Sequence, residues 1–212
     1  MNHTCGILIL FLILLLISAG CLNQNTTDKT GQQNQIEYEE VSLSDLYIED
    51  TETISPDEKD SEVWLRKANI LRETGRFNES LSMFEHAITL NNSSVAAWTG
   101  KADSLLELDR FNESLEVYTI ALTMDPSSSV GWRGKGITLY YKGQYPEALI
   151  ALNTSLHLNE HDIATWTYRG AIFSRIGSYQ QAIDCYDRAL TYDPDNMIIN
   201  SAREEILKMN NA

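Results

Sequence analysis

The sequence predicts an all-α solenoid: four stacked helical hairpins closed by one further helix. Two observations predict it. The four tryptophans stand at Trp64, Trp98, Trp132 and Trp166, each 34 residues after the one before, a period expected of helix pairs that stack on one another. Columns in that frame then agree in size across the copies. With units at 61–94, 95–128, 129–162 and 163–196, position 8 is Ala68, Ala102, Gly136 and Gly170, position 20 is Ser80, Ser114, Ala148 and Ala182, and position 27 is Ala87, Ala121, Ser155 and Ala189. All are small, as helix backbones that cross closely require.

Taken in chain order, the first element is an address. Every residue from Ile7 to Ile17 is apolar, and Ser18, Ala19 and Gly20 follow before Cys21. The apolar run falls short of the roughly 20 residues a membrane-crossing helix needs, and its small-residue exit has the form of a cleavage site. Ser18-Ala19-Gly20-Cys21 resembles the lipobox of prokaryotic lipoproteins, which implies a signal peptide over residues 1–20 and a lipidated Cys21 as the first residue of the mature chain. It departs from that pattern in having no Lys or Arg ahead of the apolar run and Ser18 where Leu is commonest. An ordinary signal peptide or an uncleaved anchor is the alternative, and each reading puts the rest of the chain outside the cytoplasmic membrane.

Residues 21–54 read as a polar, acidic tether. Between 22 and 60 there are 11 Asp and Glu against Lys29 and Lys59, a net charge of -9, and such composition cannot bury a core. As a random coil it would reach roughly 35 Å. Order is expected from residue 55, where Ser55-Pro56-Asp57-Glu58 has the form of an N-cap, a first-turn proline and a capping box.

Within the array, large apolar groups fill the space the small columns leave. Position 11 is Leu71, Leu105, Leu139 and Phe173, position 17 is Phe77, Phe111, Tyr145 and Tyr179, and position 24 is Phe84, Tyr118, Leu152 and Tyr186. Position 15 holds Gly75, Asp109, Gly143 and Gly177, where a left-handed residue ends the first helix of each pair. Asp125-Pro126 and Asp193-Pro194 stop two of the second helices. Asn92 and Glu160 replace proline in the other two units, so looser turns are expected there. Beyond unit four, Ile198, Ile199, Ala202, Ile206 and Met209 form a stripe at helical spacing, a capping helix over 197–209 that closes the open end.

These columns resemble the tetratricopeptide repeat (TPR) family over residues 61–196, and the resemblance implies a right-handed superhelix whose ligands lie in a concave groove lined by the first helix of each unit. At the matching positions Arg133, Ile137, Tyr140, Tyr141, Tyr168 and Arg175 form the candidate partner patch, because Tyr and Arg dominate binding hot spots. A plain solvated face is the alternative for each. The groove positions with which the family grips acidic chaperone tails are here Leu65, Asn69, Gly100, Val130 and Gly134, of which only Asn69 matches.

Composition narrows the function. A formal charge of -14, from 16 Lys and Arg against 30 Asp and Glu, has the wrong sign for nucleic-acid phosphates. Cys5, Cys21 and Cys185 are too few and too scattered for a disulfide framework or a thiol-rich metal site. His157-Leu158-Asn159-Glu160-His161 matches the H-x-x-E-H of zinc peptidases, but it falls where a second helix should end, so surface histidines are the preferred reading. Gly131-Trp132-Arg133-Gly134-Lys135-Gly136 lacks P-loop spacing and is expected to be a helix with small packing residues. Sequons begin at Asn25, Asn78, Asn91, Asn92, Asn112 and Asn153, usable for glycosylation only in an exported chain.

The expected role is therefore a non-catalytic scaffold without a cofactor. It binds a peptide or protein at the outer face of a prokaryotic membrane, or is secreted if Cys21 carries no lipid. Self-association at the ends of the stack is compatible with this. Assembly of an envelope, pilus or secretion complex is a second reading implied by resemblance, and a zinc-dependent hydrolase is a reading of another class.

Overall fold

The computed structural model describes residues 60–211. The signal segment, Cys21, the tether, Asn25 and the Ser55–Glu58 cap lie outside these residues. The described chain is helical throughout: α1 (Ser61–Glu73), α2 (Phe77–Leu90), α3 (Val95–Glu107), α4 (Phe111–Met124), α5 (Ser129–Tyr141), α6 (Tyr145–Leu158), α7 (Ile163–Arg175), α8 (Tyr179–Tyr192) and α9 (Met197–Asn210). Equivalent helices begin 34 residues apart, and each packs on its neighbours in sequence to form a solenoid. No helix among the described residues is long and apolar enough to cross a membrane.

Each hairpin is built from the same local devices. Asp60, Ser94, Ser128, Asp162 and Asn196 cap α1, α3, α5, α7 and α9 by accepting a hydrogen bond from a backbone N–H of the first turn. Asp60 caps the first helix among the described residues. Gly75, Gly143 and Gly177 have φ of +78°, +74° and +77°, and Asp109 adopts the same left-handed turn at +58°. The backbone demands the conformation even where the residue is not glycine.

The turns between units correct one expectation. The caps at Asn91 and Asn159, which precede no proline, have φ of -142° and -146°, beside -131° and -141° at Asp125 and Asp193. They are no looser. The tryptophan of the next unit closes each: the indole N–H of Trp98, Trp132 and Trp166 donates to the carbonyl of Asn92, Pro126 and Glu160 at 2.9, 2.9 and 2.8 Å. In α9, Asn200 stands in the tryptophan column and donates to the Pro194 carbonyl at 3.1 Å. A carbonyl, not a proline ring, is what the position supplies.

The core runs along the array as a chain of junctions, and each junction is matched in size. A Cβ on Gly100 would lie 2.2 Å from the Phe84 ring, and one on Gly134 would lie 2.2 Å from Tyr118. Where position 24 is the smaller Leu152, position 6 of the next unit is the large Tyr168, and both belong to one cluster. At the last junction Tyr186 shares a cluster with Ala202 of α9. A second pair of columns is matched in polarity. Ser80 meets Ser104 at 3.1 Å and Ser114 meets Thr138 at 3.2 Å, all four fully buried. Each hydroxyl also has a backbone carbonyl to donate to, so the polar pairs are satisfied. At the third and fourth junctions the same positions carry Ala148 with Ile172 and Ala182 with Ile206, buried and apolar.

The capping helix buries Ile199 and Ile206, with Ala202 and Leu207 packed beside them. Ile198 and Met209 do not join this stripe. Ile198 is 80% exposed and Met209 45%, because one covered face of a single terminal helix is too narrow to include them.

Candidate functional site

The first helices of the units face a concave groove of about 530 Å³. Its lining includes Arg72 at the end of α1, Asp103, Leu106 and Glu107 on α3, Val130, Arg133, Gly134, Ile137 and Tyr141 on α5, and Tyr168 on α7. Four of the six sequence-predicted residues, Arg133, Ile137, Tyr141 and Tyr168, therefore lie together. Tyr140 packs on the core beside them, and Arg175 at the end of α7 holds Tyr140, with Nε 3.1 Å from its hydroxyl and the guanidinium 5.7 Å from its ring centre.

Phe77, Asp109, Phe111 and Tyr118 also line the groove. The sequence frame places the three aromatics in core columns. Phe77 and Phe111 open the second helix of their hairpins, where the chain has just turned and a side chain reaches the groove's lip. Tyr118 arrives from an outer helix because Gly134 has no side chain to block it, as the 2.2 Å approach shows.

The groove has a polar floor and an aromatic wall. On the floor the Tyr118 hydroxyl donates to Asp103 Oδ1, while Asp103 Oδ2 lies 3.8 Å from Arg72. Burial pushes the Asp103 carboxyl above its ordinary range, against the Tyr118 hydrogen bond and the charges of Arg72 and Arg133 that pull it down. Burial, and then the neighbouring Asp103 charge, raise Glu107 as well. Arg72 Nε is buried without a hydrogen-bond partner. Arg133 is less free than its residue type suggests: Nη1 is 2.6 Å from Asp162 Oδ2, a carboxylate only 5% exposed that also caps α7.

The wall is a run of rings. Phe111 and Tyr141 stack at 5.8 Å with an interplanar angle of 3°. Tyr140 meets Tyr141 and Tyr168 edge-on at 5.3 and 5.5 Å, the arrangement that ring quadrupoles favour. The Tyr141 and Tyr168 hydroxyls are 3.2 Å apart, and burial holds the Tyr168 phenol well above its ordinary range. Such a surface is preorganised: its side chains are held by one another, and a ligand does not have to order them.

The other motifs fall into structural roles. His157 lies in the last turn of α6, which ends at Leu158, and His161 follows the turn, its ring 4.8 Å from Tyr192. The two imidazoles do not share a helix face. Among the described residues no group of three or more His, Cys, Asp or Glu could hold a metal ion. Gly131, Gly134 and Gly136 sit within α5 against Leu122, Tyr118 and Leu152, as the packing reading expects. Cys185 is 3% exposed, and burial pushes its thiol up to about 11.

Asn78, Asn112 and Asn153 are exposed. The serines of their sequons, Ser80, Ser114 and Ser155, are fully buried in the small columns. Packing alone accounts for the sequon pattern at these three sites. Of the chaperone-tail positions, Gly100 and Gly134 are filled from below by Phe84 and Tyr118, and Leu65 is buried.

Tetratricopeptide repeat family models match residues 65–129 and 163–196. No curated protein matches the chain by sequence. Among solved structures, TTC0263, a thermophilic TPR protein of Thermus thermophilus, superposes with a TM-score of 0.68 at 14% identity, over 77% of this chain and 90% of that one. YrrB, described as a TPR protein with an unusual peptide-binding site, superposes at 0.58 with 18% identity, over 76% and 84% of the two chains. The first TPR domain of Spaghetti (RPAP3), bound to the HSP90 peptide SRMEEVD, superposes at 0.54 with 18% identity, over 56% and 94%. At such identities the likeness is one of fold.

Proposed function

Starting from a chain of four tetratricopeptide repeats and a closing helix, we propose that it is a non-catalytic scaffold holding a peptide or protein segment in its concave groove. The observation that carries this reading is the groove itself, about 530 Å³ with its aromatic and charged lining fixed in place by internal contacts. YrrB and the RPAP3 domain, alike in fold, are described with peptide sites. The sequence adds an address: a lipid on Cys21, or a signal anchor, would hold the array at the outer face of a cytoplasmic membrane. Anchoring raises the effective concentration of a captured partner without new contacts.

The binding test is affinity capture from detergent-solubilised membranes of the parent cells. The full chain is run beside a Tyr141→Ala, Ile137→Ser variant, whose residues line the groove and of which Tyr141 is 52% exposed. Loss of a specific protein with the folded variant supports the groove; equal recovery moves the site elsewhere on the molecule. Membrane fractionation of Cys21→Ser tests the lipid: release of the chain supports it, and retention points to an uncleaved anchor.

A further inference from the structure

Equivalent positions along the repeat differ in chemistry where they line the groove. Phe111 opens α4, Tyr141 ends α5, and their rings stack at 5.8 Å. One repeat earlier the equivalent residues are Phe77, opening α2, and Glu107, ending α3, and both line the groove. A short carboxylate arm thus stands where the next repeat has a ring. One repeat later the equivalent residue is Arg175, which ends α7 with its guanidinium 5.7 Å from the Tyr140 ring centre. The fold therefore accommodates an aromatic or a cation over the aromatic wall, and at Glu107 it supplies neither.

Charge sharpens the assignment. Of the ionic groups lining the groove, Arg133 is closed by Asp162, and Arg72 faces Asp103. Glu107 and Asp109 bring the groove's lining to three carboxylates against two guanidiniums, and the nearer guanidinium, Arg72, is shared between Asp103 and Glu107. Burial raises the Glu107 carboxyl first, and the Asp103 and Asp109 charges add to that against the pull of Arg72.

The geometry points to a basic side chain, Lys or Arg, of an extended peptide, its stem over the open face of Phe77 and its cationic head at Glu107 and Asp109. This rests on the groove reading above and adds the chemistry of the occupant. An aromatic face and a carboxylate together suit a cation, attracting it through the ring quadrupole and through direct pairing. The same charges disfavour an acidic tail. They also disfavour the chain's own segment 22–60, with its net charge of -9.

Four pools of random decapeptides that differ only in one fixed central residue, Lys, Arg, Gln or Glu, test this on the immobilised full chain in mild detergent. The Lys and Arg pools should be retained about five- to tenfold over the Gln pool, the size expected of one ion pair plus one cation–π contact. Glu107→Gln and Phe77→Leu should remove that preference. Glu116→Gln, an equal change in net charge outside the groove lining, should leave it. A preference that survives Glu107→Gln, or retention of the Gln or Glu pool above the basic ones, overturns the basic occupant while leaving a peptide groove standing. No retention of any pool overturns both.

Discussion

The matched junctions make a quantitative claim about Gly134. Replacing it with Ala places a Cβ 2.2 Å from Tyr118 Cζ and 2.3 Å from its hydroxyl oxygen, and Tyr118 is fully buried with that hydroxyl committed to Asp103. Overpacking usually costs about 1–3 kcal/mol, and approaches this short against a fully buried ring belong to the upper part of that range, about 2–3 kcal/mol. The better helix propensity of Ala returns about 1 kcal/mol. The net loss should be about 1–2 kcal/mol, or about 2–8 °C in Tm for a chain of this size, read by urea unfolding and thermal denaturation. Tyr118→Leu copies the Leu152 of the next junction and should make Gly134→Ala harmless or favourable, so a double-mutant cycle should return a coupling of about 1 kcal/mol or more. A Gly134→Ala protein as stable as the parent, or a penalty unchanged in the Tyr118→Leu background, would refute size matching as the reason for this glycine.

Three further outcomes follow from the same geometry. Asp109→Gly should stabilise the fold by about 0.5–1 kcal/mol in urea unfolding, since a left-handed residue other than glycine is strained and glycine's extra unfolded-state entropy offsets only part of that. Ser114→Ala combined with Thr138→Ile copies the apolar pair of the third junction; it should cost less than the two single changes summed, by about 0.5 kcal/mol or more, and strict additivity would contradict the pairing. Asp103 has a folded-state pKa raised by burial. Its contribution to stability is therefore fully present below the ordinary Asp range and is lost as pH rises through the raised value. Asp103→Asn should flatten that part of the stability–pH curve, measured by urea midpoints between pH 3 and 7, and an unchanged curve would remove the argument.

The repeat frame is legible because it is a property of single columns. Tryptophan spacing sets helix starts that recur every 34 residues, and the position-15 column places the left-handed turn even at Asp109. What escapes such a reading is the relation between columns of different units. Phe84 with Gly100, or Ser114 with Thr138, are visible in the sequence only when position 24 of one unit is set against position 6 of the next, and position 20 against position 10. The Asp162 partner of Arg133 is hidden for the same reason, being 29 residues away and in a cap. Phe77 and Phe111 read as core on apolarity, yet their place at a helix start brings them to the lip of the groove.

The junctions also decide how this chain could be shortened. Removing residues 95–128 would bring Phe84 against Gly134 and Ser80 against Thr138, each pair already of a kind the molecule uses. Removing 129–162 would instead press Tyr118 onto Tyr168 and leave Ser114 facing Ile172. One deletion heals and the other does not, so the order of the units is a grammar, and gene-level loss of the second repeat would be tolerated where loss of the third would be punished.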